Sequence, residues 1–343
     1  MMKHAQRFFW ILILVLAAGS AQAQDVLTER NIFDVSRVLE AKVAPDGRHV
    51  AYTVMVPRPF TDEPGSDYRE LHVLNRSTGE SRVYVGGKNL MYALDWMPDS
   101  RTITFMARMP DATGTQVYGI PVDGGQAMPL TTCPTGVRGY TLHPQGTAIA
   151  YMATEPSDGN AHALAARGFN AEIYEEGQPD RNIYIQDLGT GDVKRMTEGV
   201  SVFSITWSPN GNYIAAAVAP ENLVDHSYMF KRIHLLDVTS GTLTKLVDNP
   251  GKLGTMAWSP DSRKLAFISA VAVWDSKEGS IFVADVPQSK PFSQLRNYSK
   301  DFEGTVTDIA WTDASTLLFA AEEGVDITLR EQPLDAPASS IMI

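Results

Sequence analysis

A serine nucleophile, a bound metal or a bound phosphate each demands a short local signature, and this sequence shows none of them. No Gly-x-Ser-x-Gly elbow surrounds a serine, so no hydroxyl is presented on the sharp strand-to-helix turn that acyl transfer uses. His-Glu-x-x-His, Cys-x-x-Cys, Gly-x-x-x-x-Gly-Lys and calcium-loop patterns are absent as well. The nearest approach to a histidine–carboxylate pair is Asp225-His226. Neighbouring side chains on a strand face opposite ways, so this pair reads as a solvated loop. The lone Cys133 cannot form an internal disulfide and reads as a small buried hydrophobe. Carboxylates are plentiful, but Asp46, Asp99 and Asp261 recur at one position of a repeated phrase, and that phrase accounts for them. The residues therefore predict no cofactor, no metal and no catalytic group.

The phrase itself is an element-building signal. Its copies are Val43-Ala44-Pro45-Asp46-Gly47, Trp96-Met97-Pro98-Asp99-Ser100, Leu142-His143-Pro144-Gln145-Gly146, Trp207-Ser208-Pro209-Asn210-Gly211, Trp258-Ser259-Pro260-Asp261-Ser262 and the worn Trp311-Thr312-Asp313-Ala314-Ser315. An apolar residue ends one strand. Proline then presets φ, Asp or Asn bonds its own backbone, and Gly tolerates positive φ. A second strand follows at once, as in Ile149-Ala150-Tyr151 and Leu265-Ala266-Phe267. Most first hairpins lead to another, for example Asn182 to Ile185 through Gly189-Thr190-Gly191 into Asp192 to Thr197. A period of roughly 50 residues with four short antiparallel strands marks a propeller blade. The fold class is accordingly all-β: a β-propeller of about six four-stranded blades. A β-sandwich is the competing architecture, and six in-phase copies argue against it.

Residues 1–23 read as a secretory signal: Lys3 and Arg7, an apolar run from Phe8 to Ala18, and Ala21-Gln22-Ala23 before Gln24. The run is short for a membrane span. The alternative is an uncleaved anchor. Cleavage would remove two positive charges from a chain whose formal charge is already −11. Such a surface repels nucleic acid and anionic lipid. The expected product is periplasmic or secreted, with no membrane insertion after cleavage. An arm over residues 24–40 follows, its Ile32, Val35, Val38 and Leu39 spacing suggesting a turn or two of helix. The propeller then takes up 41–343. One long insertion, about Glu155 to Arg181, interrupts it, with a helical stretch over Ala161 to Gly168.

The Trp-Ser-Pro-Asp-Gly phrase, the Ala-Phe strand after it and the Asp-x-x-Thr-Gly hairpin resemble the repeats of TolB and of prolyl oligopeptidase family propellers. The direct entry of the arm into Val43 to Tyr52 favours the peptidases. So does the stretch Ala166 to Glu176 followed by Arg181 to Ile185, which is similar to one in exported acylaminoacyl-peptidase and dipeptidyl-peptidase-like enzymes. The resemblance implies a non-catalytic, substrate-gating propeller that restricts a serine peptidase to short peptides. Its hydrolase domain would lie elsewhere, and the chain alone would have no peptidase activity. Family propellers usually have seven or eight blades, so this one looks truncated. Its last blade is expected to be incomplete beyond Asp326 to Leu329, with an open edge through which copies could associate. In the dipeptidyl-peptidase branch, two glutamates on an insertion hold the substrate's free N-terminus, and the resemblance assigns that role to Glu175 and Glu176. A carboxylate pair suits an ammonium through charge-assisted hydrogen bonds. The implied partners are a peptide substrate or a separate hydrolase domain. The competing reading is a stand-alone periplasmic TolB-like propeller that binds a protein or glycan.

Overall fold

The computed structural model describes residues 28, 31, 35–109, 112–156, 159–171, 174–274 and 279–341. The leader 1–23 and most of the arm lie outside the described residues.

Six sheets follow one another along the chain, each built in sequence order. The first holds β1 (Arg37–Val43), β2 (His49–Val56), β3 (Tyr68–Asn75) and β4 (Ser81–Val85). The second holds β5 (Met91–Trp96), β6 (Thr102–Ala107), β7 (Gln116–Pro121) and β8 (Met128–Pro129). The third holds β9 (Gly139–Leu142), β10 (Ala148–Thr154), β11 (Arg181–Asp187) and β12 (Val193–Arg195). The fourth holds β13 (Ser201–Trp207), β14 (Tyr213–Ala219), β15 (Arg232–Asp237) and β16 (Leu243–Val247). The fifth has three strands, β17 (Leu253–Trp258), β18 (Lys264–Ser269) and β19 (Ser280–Asp285). The sixth has β20 (Thr305–Trp311), β21 (Thr316–Glu323), β22 (Asp326–Pro333) and β23 (Ser339–Ile341). All pairs are antiparallel, and the architecture is a six-bladed β-propeller.

The repeated phrase sits between the first and second strand of every blade. Its acidic or amide side chain closes the turn on the backbone two residues on. Asp46 accepts from the Arg48 N–H at 2.9 Å, Asp99 from Arg101 at 2.9 Å, Asn210 from Asn212 at 3.0 Å and Asp261 from Arg263 at 3.1 Å. Gly47, Gly146 and Gly211 take the positive φ that ends the turn. Ser100 and Ser262 adopt the same conformation at φ 61° and 62°, and each uses its hydroxyl across a blade junction. Ser100 Oγ accepts from the Asp46 N–H and Ser262 Oγ from the Asn210 N–H, both at 3.0 Å.

The tryptophans are junction fasteners too. Trp96 Nε1 donates to Lys42 O at 2.9 Å, Trp258 Nε1 to Thr206 O at 3.1 Å and Trp311 Nε1 to Ala257 O at 3.0 Å, in each case on the innermost strand of the preceding blade. Trp207 instead closes its own turn on Gly211 O.

Five hydrophobic clusters fill the five junctions between consecutive blades. No cluster among the described residues joins the sixth blade to the first. The second strands register this. In blades two to five, β6, β10, β14 and β18 are buried almost continuously, because both faces of those sheets are covered. In β2 only Ala51 and Thr53 are buried, and in β21 only Leu317, Phe319 and Ala321. A strand covered on one face alternates, since successive side chains point to opposite faces.

Two expectations are corrected. Val38 and Leu39 lie on β1, not on a helix; Val38 pairs with Val54, and the register shift after it falls at Leu39. The last blade is not the incomplete one. β23 pairs with β22 from Leu329↔Ile341 to Glu331↔Ser339 and supplies a fourth strand. The blade short of a strand is the fifth. There the chain leaves β19 through a 3-10 turn, Phe292–Gln294, whose Phe292 ring packs 4.6 Å from that of Phe282. The expected helix in the insertion is present as α1 (Gly159–Ala166).

Candidate functional site

Antiparallel order divides the connections between two faces. The repeated turns, together with the connections from third to fourth strands, lie on one face. The connections from second to third strands lie on the other, and these carry the irregular sequence: residues 57–67, 155–180, 220–231 and 270–279. Most of the exposed aromatic side chains gather there, with Phe60, Phe169, Tyr174, Tyr228, Phe230 and Trp274 all on these connections. The repeated turns of the opposite face are rich in Pro, Asp, Asn, Gly and Ser.

On the irregular face the blade-three insertion is tied to the matching connection of blade four, which forms a short helix, α2 (Val224–Tyr228). Glu175 makes the tie. Its backbone is held at φ 61°, a conformation costly for a residue with a Cβ. Its Oε1 accepts the Val224 N–H at 3.0 Å. Asn222 Nδ2 donates back to Pro179 O at 3.0 Å. Between the two segments runs a groove of about 480 Å³, lined among others by Tyr174, Glu175, Arg181, Asn222, Ser227 and Tyr228. Glu176 is exposed and is not part of this lining. One of the two glutamates singled out in the sequence therefore faces the groove.

Sequence reasoning missed Arg181 as a groove residue. It opens β11, and its N–H donates to Ser201 Oγ at 3.3 Å, while Ser201 donates to Asp180 Oδ1 at 2.6 Å. Its guanidinium lies over the Phe203 ring, 5.2 Å from the centroid. Burial lowers its pKa, and the charge of Arg138 adds to that shift. The signal in the sequence was position alone: a cation at the point where a long insertion re-enters a strand.

His226 lies on α2, with Nδ1 3.1 Å from Glu221 O and its ring edge-on to Phe230. No group of metal-ligating side chains is found among the described residues. No helix among them is long and apolar enough to cross a membrane.

No protein-family profile matches the chain. It is 24% identical over 261 residues to the uncharacterized peptidase YuxL of Bacillus subtilis, covering 75% of this chain and 34% of that protein. It is 21% identical over 339 residues to dipeptidyl-peptidase 5 of Porphyromonas gingivalis, covering 89% of this chain and 47% of the other. The chain thus spans between a third and a half of the length of these relatives. Among solved structures it is similar to an acylaminoacyl peptidase bound to Z-Gly-Gly-Phe-chloromethyl ketone, with a TM-score of 0.66 and 11% identity over 92% of this chain and 47% of that one. TolB from Acinetobacter baumannii is similar at a TM-score of 0.50 and 14% identity, over 88% and 62% of the two chains. With peptidases as its sequence relatives and this sheet order, the chain is a six-bladed β-propeller similar to the propeller domains of peptidases.

Proposed function

We propose that this propeller is the non-catalytic, substrate-gating part of an exported peptidase that acts on short peptides, working with an α/β-hydrolase domain. The observation that carries the reading is the groove on the irregular face, with Glu175 at its edge. A half-buried carboxylate beside hydroxyl and amide groups suits the ammonium of a peptide N-terminus. The exposed aromatics on the same face supply apolar area for a neighbouring domain. Glu176, outside the lining, is assigned at most an accessory electrostatic role. Export is read from residues 1–23.

The test is binding of tri-alanine and of its N-acetylated form, measured by calorimetry. The free amine should bind about tenfold more tightly, and Glu175→Gln should erase the difference. Equal binding of both peptides to the unmodified protein would exclude the amine-binding role.

The second reading is a stand-alone TolB-like propeller that binds a protein or glycan. The exposed aromatics on the irregular face favour it, since such side chains are enriched where proteins meet partners.

A further inference from the structure

We propose that Arg181 anchors a carboxylate subsite in the groove, and that its ligand is the carboxylate of a short peptide. The choice of a peptide as the bearer rests on the reading above; the subsite itself rests on the surroundings of Arg181.

Of the other half-buried arginines, Arg58 spends its donors on Glu63 O, Ser66 O and the Tyr68 hydroxyl, and the remaining three have an anionic partner. Arg69 meets Glu40 at 3.5 Å, Arg232 meets Asp248 at 3.5 Å, and Arg330 meets Glu323 at 2.7 Å through two nitrogens. Arg181 has no such partner among the described residues. Asp180 and Glu175 do not pair with it: one oxygen of Asp180 accepts from Ser201 and one oxygen of Glu175 from Val224, and neither forms an ion pair with Arg181. What holds the guanidinium is the face of Phe203, and a ring face leaves the in-plane N–H donors unspent. A partly desolvated cation without a counter-ion is unfavourable, and a second positive charge on Arg138 worsens it. An incoming anion removes both penalties.

The lining decides which anion. A planar guanidinium fork matches a carboxylate in bidentate geometry. Asn222, Ser227, Tyr174 and Tyr228 add neutral amide and hydroxyl groups to the same groove. Glu175 sits at its edge, so a doubly charged phosphate would meet a like charge, whereas a singly charged carboxylate on a chain with an amine at its other end would not. The groove thereby offers opposite charges to the two ends of a short peptide.

The test compares four peptides: tri-alanine, its C-terminal amide, N-acetyl-tri-alanine, and the tri-alanine amide with Asp at the central position. Dissociation constants are measured on the unmodified chain, on Arg181→Gln and on Arg181→Lys, with melting curves to confirm that each variant folds. The expected result is that amidation weakens binding about tenfold and that Arg181→Gln abolishes this discrimination. Arg181→Lys should keep part of it, because the charge remains while the fork is lost. Recovery of affinity by the Asp-containing amide would identify a side-chain carboxylate as the source; failure to recover would identify the terminal one.

If the acetylated peptide binds as well as the free one but still depends on Arg181, the amine role of Glu175 falls and the carboxylate subsite stands. If tri-alanine and its amide bind alike, if Arg181→Gln still discriminates, or if no peptide binds at millimolar concentration, the subsite is overturned.

Discussion

At the scale of single residues, two histidines give the protein a defined response to acid. His143 packs edge-on against Trp207, with ring centroids 4.8 Å apart, and its Nδ1 accepts the Gln145 N–H at 3.2 Å. His234 on β15 places Nδ1 3.1 Å from Arg232 O. Burial lowers the pKa of both below the ordinary value of 6.5. A histidine held neutral in the native state binds fewer protons there than in the unfolded chain, so stability falls as pH drops below 6.5 and towards the native pKa. The turn carboxylates act in another window. Asp187, Asp237 and Asp313 are held below 3.8 chiefly by backbone N–H donors, and Asp261 by the Ser259 hydroxyl and the Arg263 N–H; their contribution is lost only when pH falls below that value. The melting temperature should therefore decline between pH 7.5 and 5.5, and the double variant His143→Gln/His234→Gln should flatten that decline. An unchanged slope in the double variant would refute the assignment. None of this was legible in the sequence, where the histidines are isolated; His143 is covered by Trp207 of the next blade and His234 is enclosed within its own sheet, opposite Lys245. Glu175 was legible as a candidate. Arg181 was not, because its significance lies in a missing partner, and a missing partner is visible only in three dimensions.

At the scale of elements, the repeated phrase was read as turn chemistry, and its residues do close the turns. What the phrase concealed is that its outer members act between blades. Trp96 and Trp258 looked like apolar strand ends, but their indole N–H groups reach carbonyls some fifty residues earlier in the chain. Replacing Trp258 by Phe strands the Thr206 carbonyl and should cost about 1–3 kcal/mol by urea unfolding. A loss within error would mean that water takes over the bond. Glycines that share a positive φ are likewise unequal. At Gly211, φ is 79° and an added Cβ would lie 2.6 Å from His143 Nε2 on the neighbouring blade. At Gly191, φ is 80° and the space is open. Gly191→Ala should cost about 1 kcal/mol from backbone strain alone, and Gly211→Ala should cost clearly more. Equal losses would show that His143 swings away freely. The strand missing from blade five and the fourth strand of blade six were both misjudged, for one physical reason. Outer strands are short and half exposed, so their side chains carry little periodic signal, and neighbours outside the strand decide whether they pair.

At the scale of the whole molecule, the described residues form six blades with five packed junctions. Among the described residues the terminal blades each keep one face without a cluster, and blades two to five are covered on both sides. Stability in such an array is a sum of blade terms and neighbour terms, so the two end blades have one neighbour term fewer. Amides at 50–54 and 317–321 should exchange faster than those at 214–218, and equal protection in all three would show a tight junction between blades six and one. The six-fold period was fully legible, because turn residues are local; an open edge was expected only from the resemblance, and the uncovered faces of β2 and β21 were not legible, because both faces of a sheet are written in the same alternating letters. A ring packed at every junction has a bore fixed by its own geometry, each blade wedged between two others. A ring with one loose junction behaves like a split collar. Its bore depends on the width of whatever stands between the two ends, so a body that enters or leaves that slot changes the aperture of the central channel without touching a single residue that lines it.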